Sequence, residues 1–263
     1  MSDFPSGMVW LVGAGPGDPE LLTRKAERLI GAASVVFHDA LVGPAVLALV
    51  PQSARLVSVG KRSGRHSKDQ ETIDQLIVKS ALAGERVVRL KGGDPSIFGR
   101  ATEELDACRA AGVPVAICPG VTAASAAAAG LGRSLTLRGL SRKLVLVTAH
   151  ARAGEQLDLD WSSLADPAAT LAIYMGKAAA GQVSRNLLAH GLPAEMPVAI
   201  IENASLPDER SVTTRLDLLQ LAAHAALGDG PALILIGTAL QAGSAVPIAQ
   251  KPACSVTSGS ALQ

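Results

Sequence analysis

The segment at residues 89–104 reads RLKGGDPSIFGRATEE and concentrates side chains that could bind a ligand and handle a proton. Its glycine pair follows an apolar run and allows a ligand to approach the backbone, because glycine has no Cβ. The aspartate precedes a proline, which favours a turn and places a carboxylate beside free backbone N–H groups. Arg100 and Glu103 lie three residues apart on the helix predicted next, so they share one face. The segment therefore predicts a strand, a ligand-binding turn and a helix that begins with a charged pair.

Polar residues also follow two other strands predicted in the first half of the chain. The strand at residues 34–37 leads into His38 and Asp39, and the strand at residues 55–59 leads through one glycine to Lys61. In open α/β folds, side chains at the carboxyl ends of parallel strands line the usual ligand crevice. Asp39 and Lys61 are therefore expected at the same crevice as the glycine-rich turn.

The hydrophobic pattern predicts an α/β protein with two α/β lobes and a ligand cleft between them. Residues 1–7 are expected to be a disordered lead-in, residues 8–120 an N-terminal domain, residues 121–240 a C-terminal domain and residues 241–263 a mobile tail. The predicted strands are residues 8–12, 34–37, 55–59, 86–91, 115–118, 143–148, 170–175, 197–202, 211–215 and 232–236. The predicted helices are residues 19–30 with Asp18 as N-cap, 67–83, one running from Gly99 to about Gly112, 123–129, 180–190 and 216–225.

Composition and charge argue against several classes of function. The chain has 263 residues, 48% of them apolar and 18% charged, which is typical of a globular protein with a substantial core. A formal net charge of +1 and 2% aromatic residues give no reason to expect nucleic acid or an anionic membrane as a partner. The three cysteines form no CxxC pair, the histidines form no metal-ligand pattern, and neither a signal peptide nor a membrane-spanning run is present in the sequence. We therefore expect a cytoplasmic protein with no metal site.

The sequence GAGPGD after the first predicted strand is close to the dinucleotide-binding fingerprint GxGxxG. The third glycine of that fingerprint would stand where this chain has Asp18, and Pro16 removes an N–H that a pyrophosphate would use. A nicotinamide cofactor is therefore disfavoured. A glycine-rich turn at this place still suits another ligand that meets the backbone.

Six motifs, taken in order, resemble the uroporphyrinogen-III C-methyltransferases, a branch of the tetrapyrrole methylase superfamily of class III methyltransferases. They are GAGPGDPELLTRKA, HDALV at residues 38–42, GKRSGRHSKDQ at 60–70, RLKGGDPSIFGR, PGVTAASAA at 119–127 and YMG at 174–176. The resemblance spans about residues 8–240. RLKGGDP together with HDALV and GKRxGxHSxxQ favours this branch over its relatives on the cobalamin pathway.

The resemblance implies a homodimeric transferase that binds S-adenosylmethionine and releases S-adenosylhomocysteine. It implies methylation of uroporphyrinogen III at two pyrrole carbons, C2 and C7, which gives precorrin-2 for sirohaem or cobalamin biosynthesis. The cofactor-binding residues that it implies are Pro16, Gly92, Gly93, Asp94, Ile97, Thr122, Ala123, Met175 and Ala204. The residues that it places near the substrate are Asp39, Lys61, Arg100, Glu103 and Arg138.

The chemistry is displacement at the methyl group of a sulfonium by an enamine-like pyrrole carbon, followed by loss of a proton. The protein must align the two reactants and supply a base. Asp39 and Glu103 are the candidates for proton acceptor, with Lys61 as donor or charge partner. Arg100 and Arg138 suit a substrate clamp, since arginine stays protonated. Which carboxylate is the base stays open.

The substrate that the resemblance implies carries eight carboxylates, so basic loops are expected around the cleft. The candidates in those loops are Arg62, Arg65, His66, Arg133, Arg138, Arg142 and Lys143. The chain departs from the family pattern at Leu137, where a histidine is usual, at Ser134, where a proline is usual, and at Asp74, where an asparagine is usual. Glu104 has no role implied by the family and is expected to be a surface charge or an ion pair.

Two other functions remain as alternatives. One is C-methylation of a later precorrin, which RLKGGDP and HDALV disfavour and which substrate testing would separate. The other is a non-catalytic sensor of S-adenosylmethionine, which would not need the proton-handling side chains that this chain retains.

Overall fold

The computed structural model describes residues 4–60, 70–150, 157–225 and 227–241. Within these ranges the chain forms two five-stranded sheets, one from each half of the sequence. Lys61 and residues 242–263 of the expected tail lie outside the described residues. The domain boundaries proposed from the sequence fall outside both sheets, because the first sheet ends at Cys118 and the second begins at Lys143.

The first sheet consists of β1 (Val9–Gly13), β2 (Val35–His38), β3 (Arg55–Ser58), β4 (Val87–Lys91) and β5 (Val115–Cys118). Its strand order is β3-β2-β4-β1-β5, and every pairing is parallel. β1, β2 and β4 are buried along their whole length, as expected of parallel strands that are covered on both faces. Their carboxyl ends therefore meet at one edge of the sheet.

Helices cover both faces of this sheet. α1 (Arg24–Ala32) and α2 (Pro44–Leu47) pack on one face with a core around Val12 and Val88. α3 (Gln70–Leu82) and α4 (Ala101–Ala110) pack on the other face with a core around Leu11 and Phe37. Alternate residues of β1 thus belong to different cores, because successive side chains of a strand point to opposite faces.

The first predicted helix is interrupted. Asp18 accepts a hydrogen bond from the Glu20 N–H and caps a short 3₁₀ turn at Pro19–Leu21, so the predicted cap is present but serves a turn. Leu22 is extended, and α1 begins after Thr23, whose hydroxyl accepts from the Ala26 N–H at 3.1 Å. A second side-chain cap therefore starts the helix later than the apolar spacing predicted.

The second sheet consists of β6 (Lys143–Thr148), β7 (Ala169–Tyr174), β8 (Pro197–Glu202), β9 (Arg210–Arg215) and β10 (Ala232–Ile236). Its order is β6-β7-β10-β8-β9; β6 and β7 are parallel, and the other pairings are antiparallel. α5 (Ala123–Gly130) packs on one face. α6 (Trp161–Leu164), α7 (Ala180–Ala189) and α8 (Leu219–Ala225) pack on the other.

Direct contacts join the two halves of the chain. The Asp18 N–H donates to the Ser205 hydroxyl at 3.1 Å, and the side chain of Leu206 packs closely on Gly17. The Phe98 ring from the first half also lies against the Tyr174 ring from the second, with centroids 5.1 Å apart. These contacts place the glycine-rich turn after β1 beside the loop after β8.

The lead-in is more ordered than expected where it can be described. Phe4 is 3% exposed and packs into the core under α1, and the Gly7 N–H donates to the Glu85 carbonyl. The buried Phe4 ring therefore anchors residues 4–7 to the core of the first sheet. Residues 1–3 lie outside the described residues. Among the described residues, no helix is both long and apolar enough to cross a bilayer.

Candidate active site at the carboxyl edge of the first sheet

The turns after β1 and β4 are joined by backbone hydrogen bonds at the carboxyl edge. The Ala14 N–H donates to the Lys91 carbonyl at 2.7 Å. Gly15 and Gly93 exchange two further bonds, with N–H to carbonyl distances of 3.2 and 2.7 Å. The two glycine-rich motifs of the sequence therefore form one continuous surface at this edge.

The glycines of this edge serve two different purposes. A Cβ on Gly120 would lie 2.2 Å from the Gly93 carbonyl oxygen, and a Cβ on Gly13 would lie 2.6 Å from Gly120. These two positions require glycine because the backbones pack together. Gly93 has φ +68°, and no atom lies within 4 Å of a Cβ built on it. Gly93 therefore faces open space, as a glycine that admits a ligand should.

The Asp94 carboxylate connects two turns of this edge through hydrogen bonds. Its Oδ1 accepts hydrogen bonds from the Ser96 N–H at 2.8 Å and from the Ser96 hydroxyl at 2.5 Å. Its Oδ2 accepts from the Gly120 N–H at 3.0 Å. The carboxylate thus ties the turn after β4 to the turn after β5, a structural contribution that the sequence did not reveal.

Asp39 lies at the same edge, after β2, with its side chain 24% exposed. Its Oδ1 accepts from the Leu41 N–H at 3.0 Å, while its Oδ2 lies 4.0 Å from Nη2 of Arg89. The neighbouring His38 ring is within 3.0 Å of the Asp39 carbonyl oxygen. Asp39 is therefore held in place, and among the described residues its Oδ2 accepts no hydrogen bond.

A buried ionic network lies beneath Asp39. Arg89 Nε donates to Glu104 Oε1 at 2.8 Å, and Lys91 Nζ donates to Glu104 Oε2 at 2.8 Å. Glu104 is fully buried, so its interpretation as a surface charge is wrong, and the ion-pair alternative holds in a buried form. Burial, together with the charge of Arg89, lowers the pKa of Lys91, against the opposing effect of Glu104.

The sequence contained a signal for this network. Arg89 and Lys91 are two residues apart on a strand that is buried on both faces, so both side chains point to the same face. Buried cations need an acidic partner. A glutamate on the helix that packs on that face should therefore have been expected.

Arg100 and Glu103 form the pair that their spacing predicted. Arg100 Nε and Nη2 donate to the Glu103 carboxylate at 2.9 and 2.6 Å, and both side chains are substantially exposed. The hydrogen bond from Arg100 to Glu103 raises the pKa of the arginine above its ordinary value. Arg100 has φ +55°, an uncommon conformation for a residue with a Cβ. The pair is thus exposed to solvent at the start of α4, and the Glu103 carboxylate already accepts two hydrogen bonds from Arg100.

Asp74 on α3 lies within the electrostatic reach of the same groups. Burial is the main cause that raises the pKa of Asp74 above its ordinary value, and the Glu104 and Glu103 carboxylates add to it. A hydrogen bond from Gln70 at 2.8 Å opposes the shift. The departure from the family's asparagine therefore places an additional carboxylate near an acidic group.

We expect Asp74→Asn to stabilise the protein at neutral pH. A raised pKa in the folded state means that the stability of the native protein falls as the pH rises through that pKa. Asparagine does not ionise and can still accept from Gln70, so the gain should be present at pH 7 and shrink towards the ordinary aspartate range. Urea unfolding at pH 7 and pH 4.5 measures it, with the exposed Asp106→Asn as control. An equal gain at both pH values would contradict the electrostatic cause.

Residues from the second half of the chain meet the segment at residues 89–104. The Phe98 and Tyr174 rings have centroids 5.1 Å apart, and the Tyr174 hydroxyl is hydrogen-bonded to that of Thr122. Neither aromatic ring was singled out from the sequence, although both occur within the motifs.

Met175 is half-exposed, with φ +55°, and lines a cavity of about 590 Å³. Pro231 and Ala232 line the same cavity. Ala204 is buried in the loop after β8, between two residues with positive φ. Met175 and Ala204 therefore lie in the loops that follow β7 and β8 of the second sheet.

Arg138 lies elsewhere. It belongs to a tight hairpin in which Leu137 and Ser141 exchange backbone hydrogen bonds, and the Ser141 hydroxyl contacts that of Thr170 at 2.9 Å. Thr170 is near the start of β7, whereas Met175 follows its end. A strand of six residues spans roughly 17–20 Å. Within one chain, Arg138 and Met175 are thus at opposite ends of the second sheet.

A family described as Tetrapyrrole (Corrin/Porphyrin) Methylases matches residues 8–220 of the chain. A uroporphyrinogen-III C-methyltransferase of Paracoccus denitrificans is 47% identical over 231 residues, which are 88% of this chain and 80% of that protein. A siroheme synthase of Gluconacetobacter diazotrophicus is 48% identical over 232 residues, which are 88% of this chain and 49% of that protein. The chain spans about half the length of the siroheme synthases that it matches.

A solved structure is also similar. The crystal structure of uroporphyrin-III C-methyl transferase from Thermus thermophilus, complexed with S-adenyl homocysteine, is 40% identical with a TM-score of 0.76. The match covers 89% of this chain and 99% of that one. The two-sheet architecture is therefore shared with a protein that has been crystallised with this ligand.

Proposed function

This chain belongs to the tetrapyrrole (corrin/porphyrin) methylases, and from that premise we propose that it methylates uroporphyrinogen III at C2 and C7 with S-adenosylmethionine, giving precorrin-2. The observation that carries the proposal is the carboxyl edge of the first sheet. There, Gly93 opens onto free space at the same edge as Asp39, whose Oδ1 is fixed by the Leu41 N–H and whose Oδ2 accepts no hydrogen bond from the described residues. Identity of 47% to a named uroporphyrinogen-III C-methyltransferase supports the substrate.

The residues around Gly93 suit a folded sulfonium ligand. The bare Cα of Gly93 faces open space, which supports close approach of the ligand to the backbone. Asp94 acts through its bonds to Ser96 and Gly120, which fix the N–H groups and carbonyls of the two turns. The bound cofactor supplies an electrophilic methyl group. The residues proposed to hold it are Pro16, Gly92, Gly93, Asp94, Ile97, Thr122, Ala123, Met175 and Ala204.

Gly93→Ala and Gly120→Ala should separate the two purposes of these glycines. Alanine at position 93 adopts a left-handed conformation at a cost of about 1–2 kcal/mol, and its methyl group enters the proposed ligand space. We expect a folded protein whose affinity for S-adenosylhomocysteine falls at least tenfold. Alanine at position 120 overpacks the backbone by about 1–3 kcal/mol or more, so the melting temperature should fall most there. Calorimetric titration and thermal unfolding measure the two effects, and unchanged affinity in Gly93→Ala would contradict the proposed ligand position.

Methylation leaves the ring system with a positive charge, which is neutralised when a proton leaves another position of that ring system for a base. Asp39 is the better candidate, because Glu103 is already paired with Arg100 through two hydrogen bonds. Lys61 would serve as proton donor or charge partner, and Arg100 would clamp a substrate carboxylate. General base catalysis of this kind contributes about 10²–10⁴-fold to the rate.

The test is anaerobic incubation of the protein with uroporphyrinogen III and methyl-labelled S-adenosylmethionine, followed by mass analysis of the tetrapyrrole. Gain of two methyl groups is the expected result. Binding of S-adenosylmethionine without transfer would reject this substrate; later precorrins would be tried next, and a sensor would remain if none were methylated. The downstream pathway, sirohaem or cobalamin, would follow from the enzymes that accept the product.

We further propose that the protein acts in the cytoplasm as a homodimer. Cys108 and Cys118 are buried free thiols, which supports a reducing compartment. Leu140, which precedes the edge strand β6, and Leu144, within it, are 52% and 40% exposed. Exposed leucines at an edge strand support a surface that a second subunit covers. A dimer would also let the Arg138 hairpin approach the site of the partner subunit. Sedimentation velocity tests the oligomeric state.

A further inference from the structure

The ionic network beneath Asp39 places three charged side chains where the protein excludes water. Arg89 and Lys91 are 5% and 4% exposed, and Glu104 is 0% exposed. Buried networks of this kind seldom improve stability over apolar side chains of similar volume. A role in the chemistry of the adjacent edge is a better reason for their presence.

We propose that Arg89 is a positioning residue for the proton acceptor Asp39, and that Glu104 and Lys91 hold Arg89 in that position. This inference rests on the proposed function, because it assigns Asp39 as the base. Arg89 does not touch the substrate and acts through the carboxylate of Asp39.

The hydrogen bonds of Arg89 leave one nitrogen for Asp39. Nε is bound to Glu104 at 2.8 Å, and Nη1 donates to the Leu90 carbonyl at 3.0 Å. Nη2 then faces Asp39 Oδ2 at 4.0 Å. This distance exceeds that of a hydrogen bond, so Arg89 attracts the carboxylate without occupying its lone pairs. Arg89 can therefore orient the carboxylate while its Oδ2 keeps lone pairs for a proton.

Lys91 balances the network. Its Nζ donates to the second oxygen of Glu104 at 2.8 Å, so that the four groups comprise two cations and two anions. Without Lys91, one cation that interacts with Asp39 is lost and the negative charge of Glu104 is less compensated, so the positive potential at Asp39 falls. Among the described residues, the other charged or titratable groups near the network are His38 beside Asp39, Asp74 from α3, and Arg100, Glu103 and the buried Cys108 from α4; Lys61, after β3, lies outside them.

The experiment compares Arg89→Met with Arg109→Met. Arg109 lies on α4 and forms an exposed pair with Asp106 at 3.0 Å, so it provides a matched loss of one paired arginine. The rate of methyl transfer to uroporphyrinogen III is measured from pH 5 to 9, and S-adenosylhomocysteine affinity is measured by calorimetry. Removing a neighbouring cation disfavours an ionised carboxylate. We expect the acidic limb of the rate profile to move upward by about one pH unit in Arg89→Met, with little change in affinity, and not to move in Arg109→Met.

If Arg89 had only a structural role, Arg89→Met would lower the amount of active protein without moving the acidic limb of the pH–rate profile. That result would overturn the proposal. Arg89→Lys should restore part of the shift, because it returns a cation. If Arg89→Met does not fold, Lys91→Met tests the same claim, with a smaller upward shift expected. Carbon-13 NMR titration of the Asp39 carboxyl, assigned with Asp39→Asn, needs no substrate. It therefore tests Arg89 even if uroporphyrinogen III is not methylated. If the titration of the Asp39 carboxyl were the same in Arg89→Met as in the original protein, the inference about Arg89 would fail and the proposed function would stand.

Discussion

Glu104→Ala should destabilise the protein by about 3–5 kcal/mol, because it leaves two buried cations without their shared partner. Glu104 is 0% exposed and accepts hydrogen bonds from both Arg89 and Lys91 at 2.8 Å. Urea unfolding followed by circular dichroism measures the loss. The control is Asp106→Ala on the same helix, where an exposed pair contributes at most about 1 kcal/mol.

A triple variant separates the cost of unpaired charge from the cost of a cavity. Arg89→Met, Glu104→Leu and Lys91→Met together replace the network with apolar side chains of similar volume. Such replacement of a buried network is often neutral or stabilising. We expect the triple variant to recover most of the stability lost in Glu104→Ala. A triple variant as unstable as Glu104→Ala would show that packing, not charge, dominates at this position.

The first sheet could be predicted because its signals are local. β1, β2 and β4 are short apolar runs, and each ends in a turn that glycine or aspartate marks. The edge that collects Asp39 and Gly93 followed from the rule that parallel strands deliver their carboxyl ends together. The predicted bounds of these three strands were confirmed to within one residue, since burial on both faces leaves little freedom in an apolar strand.

Other features depended on contacts that a local pattern does not contain. The one-turn helices α2 and α6 were missed because four residues carry no readable periodicity. The late start of α1 depended on the Thr23 hydroxyl, which caps that helix, whereas Asp18 caps only the preceding 3₁₀ turn. The largely antiparallel pairing of the second sheet depended on where β10 inserts, between β7 and β8. Sequence spacing alone specifies neither strand order nor direction.

In the candidate site too, local motifs predicted the positions of residues, whereas contacts distant in sequence determined their roles. Asp39, Gly93 and Asp94 stand at one edge as the motifs predicted, while their roles depended on partners far away in the sequence. Asp94 braces Gly120, and Glu104 is a buried partner of two cations. Arg138 was grouped with the site by resemblance alone, and within one chain its hairpin lies at the other end of β7 from Met175.

Asp39→Asn should reduce the rate of methyl transfer by about 10²–10⁴-fold, the usual contribution of a general base. Asparagine has nearly the same shape and can keep the hydrogen bond from the Leu41 N–H, so the fold and the turn should persist. It cannot accept the proton from the methylated ring. Affinity for S-adenosylhomocysteine should stay within about threefold, since the proposed cofactor residues are not changed.

Single-turnover assays of Asp39→Asn and Glu103→Gln, each saturated with S-adenosylmethionine, decide between the two carboxylates. The bonds from Arg100 already engage the Glu103 carboxylate, so Glu103→Gln should have the smaller effect on the rate and should mainly weaken substrate binding. The reverse order would make Glu103 the base and would remove the reason for placing Arg89 behind Asp39. Loss of cofactor affinity in Asp39→Asn would instead move Asp39 to the cofactor side of the site. The two variants thus test the base and the network that positions it together, because Arg89 can influence the reaction only through the carboxylate that it faces.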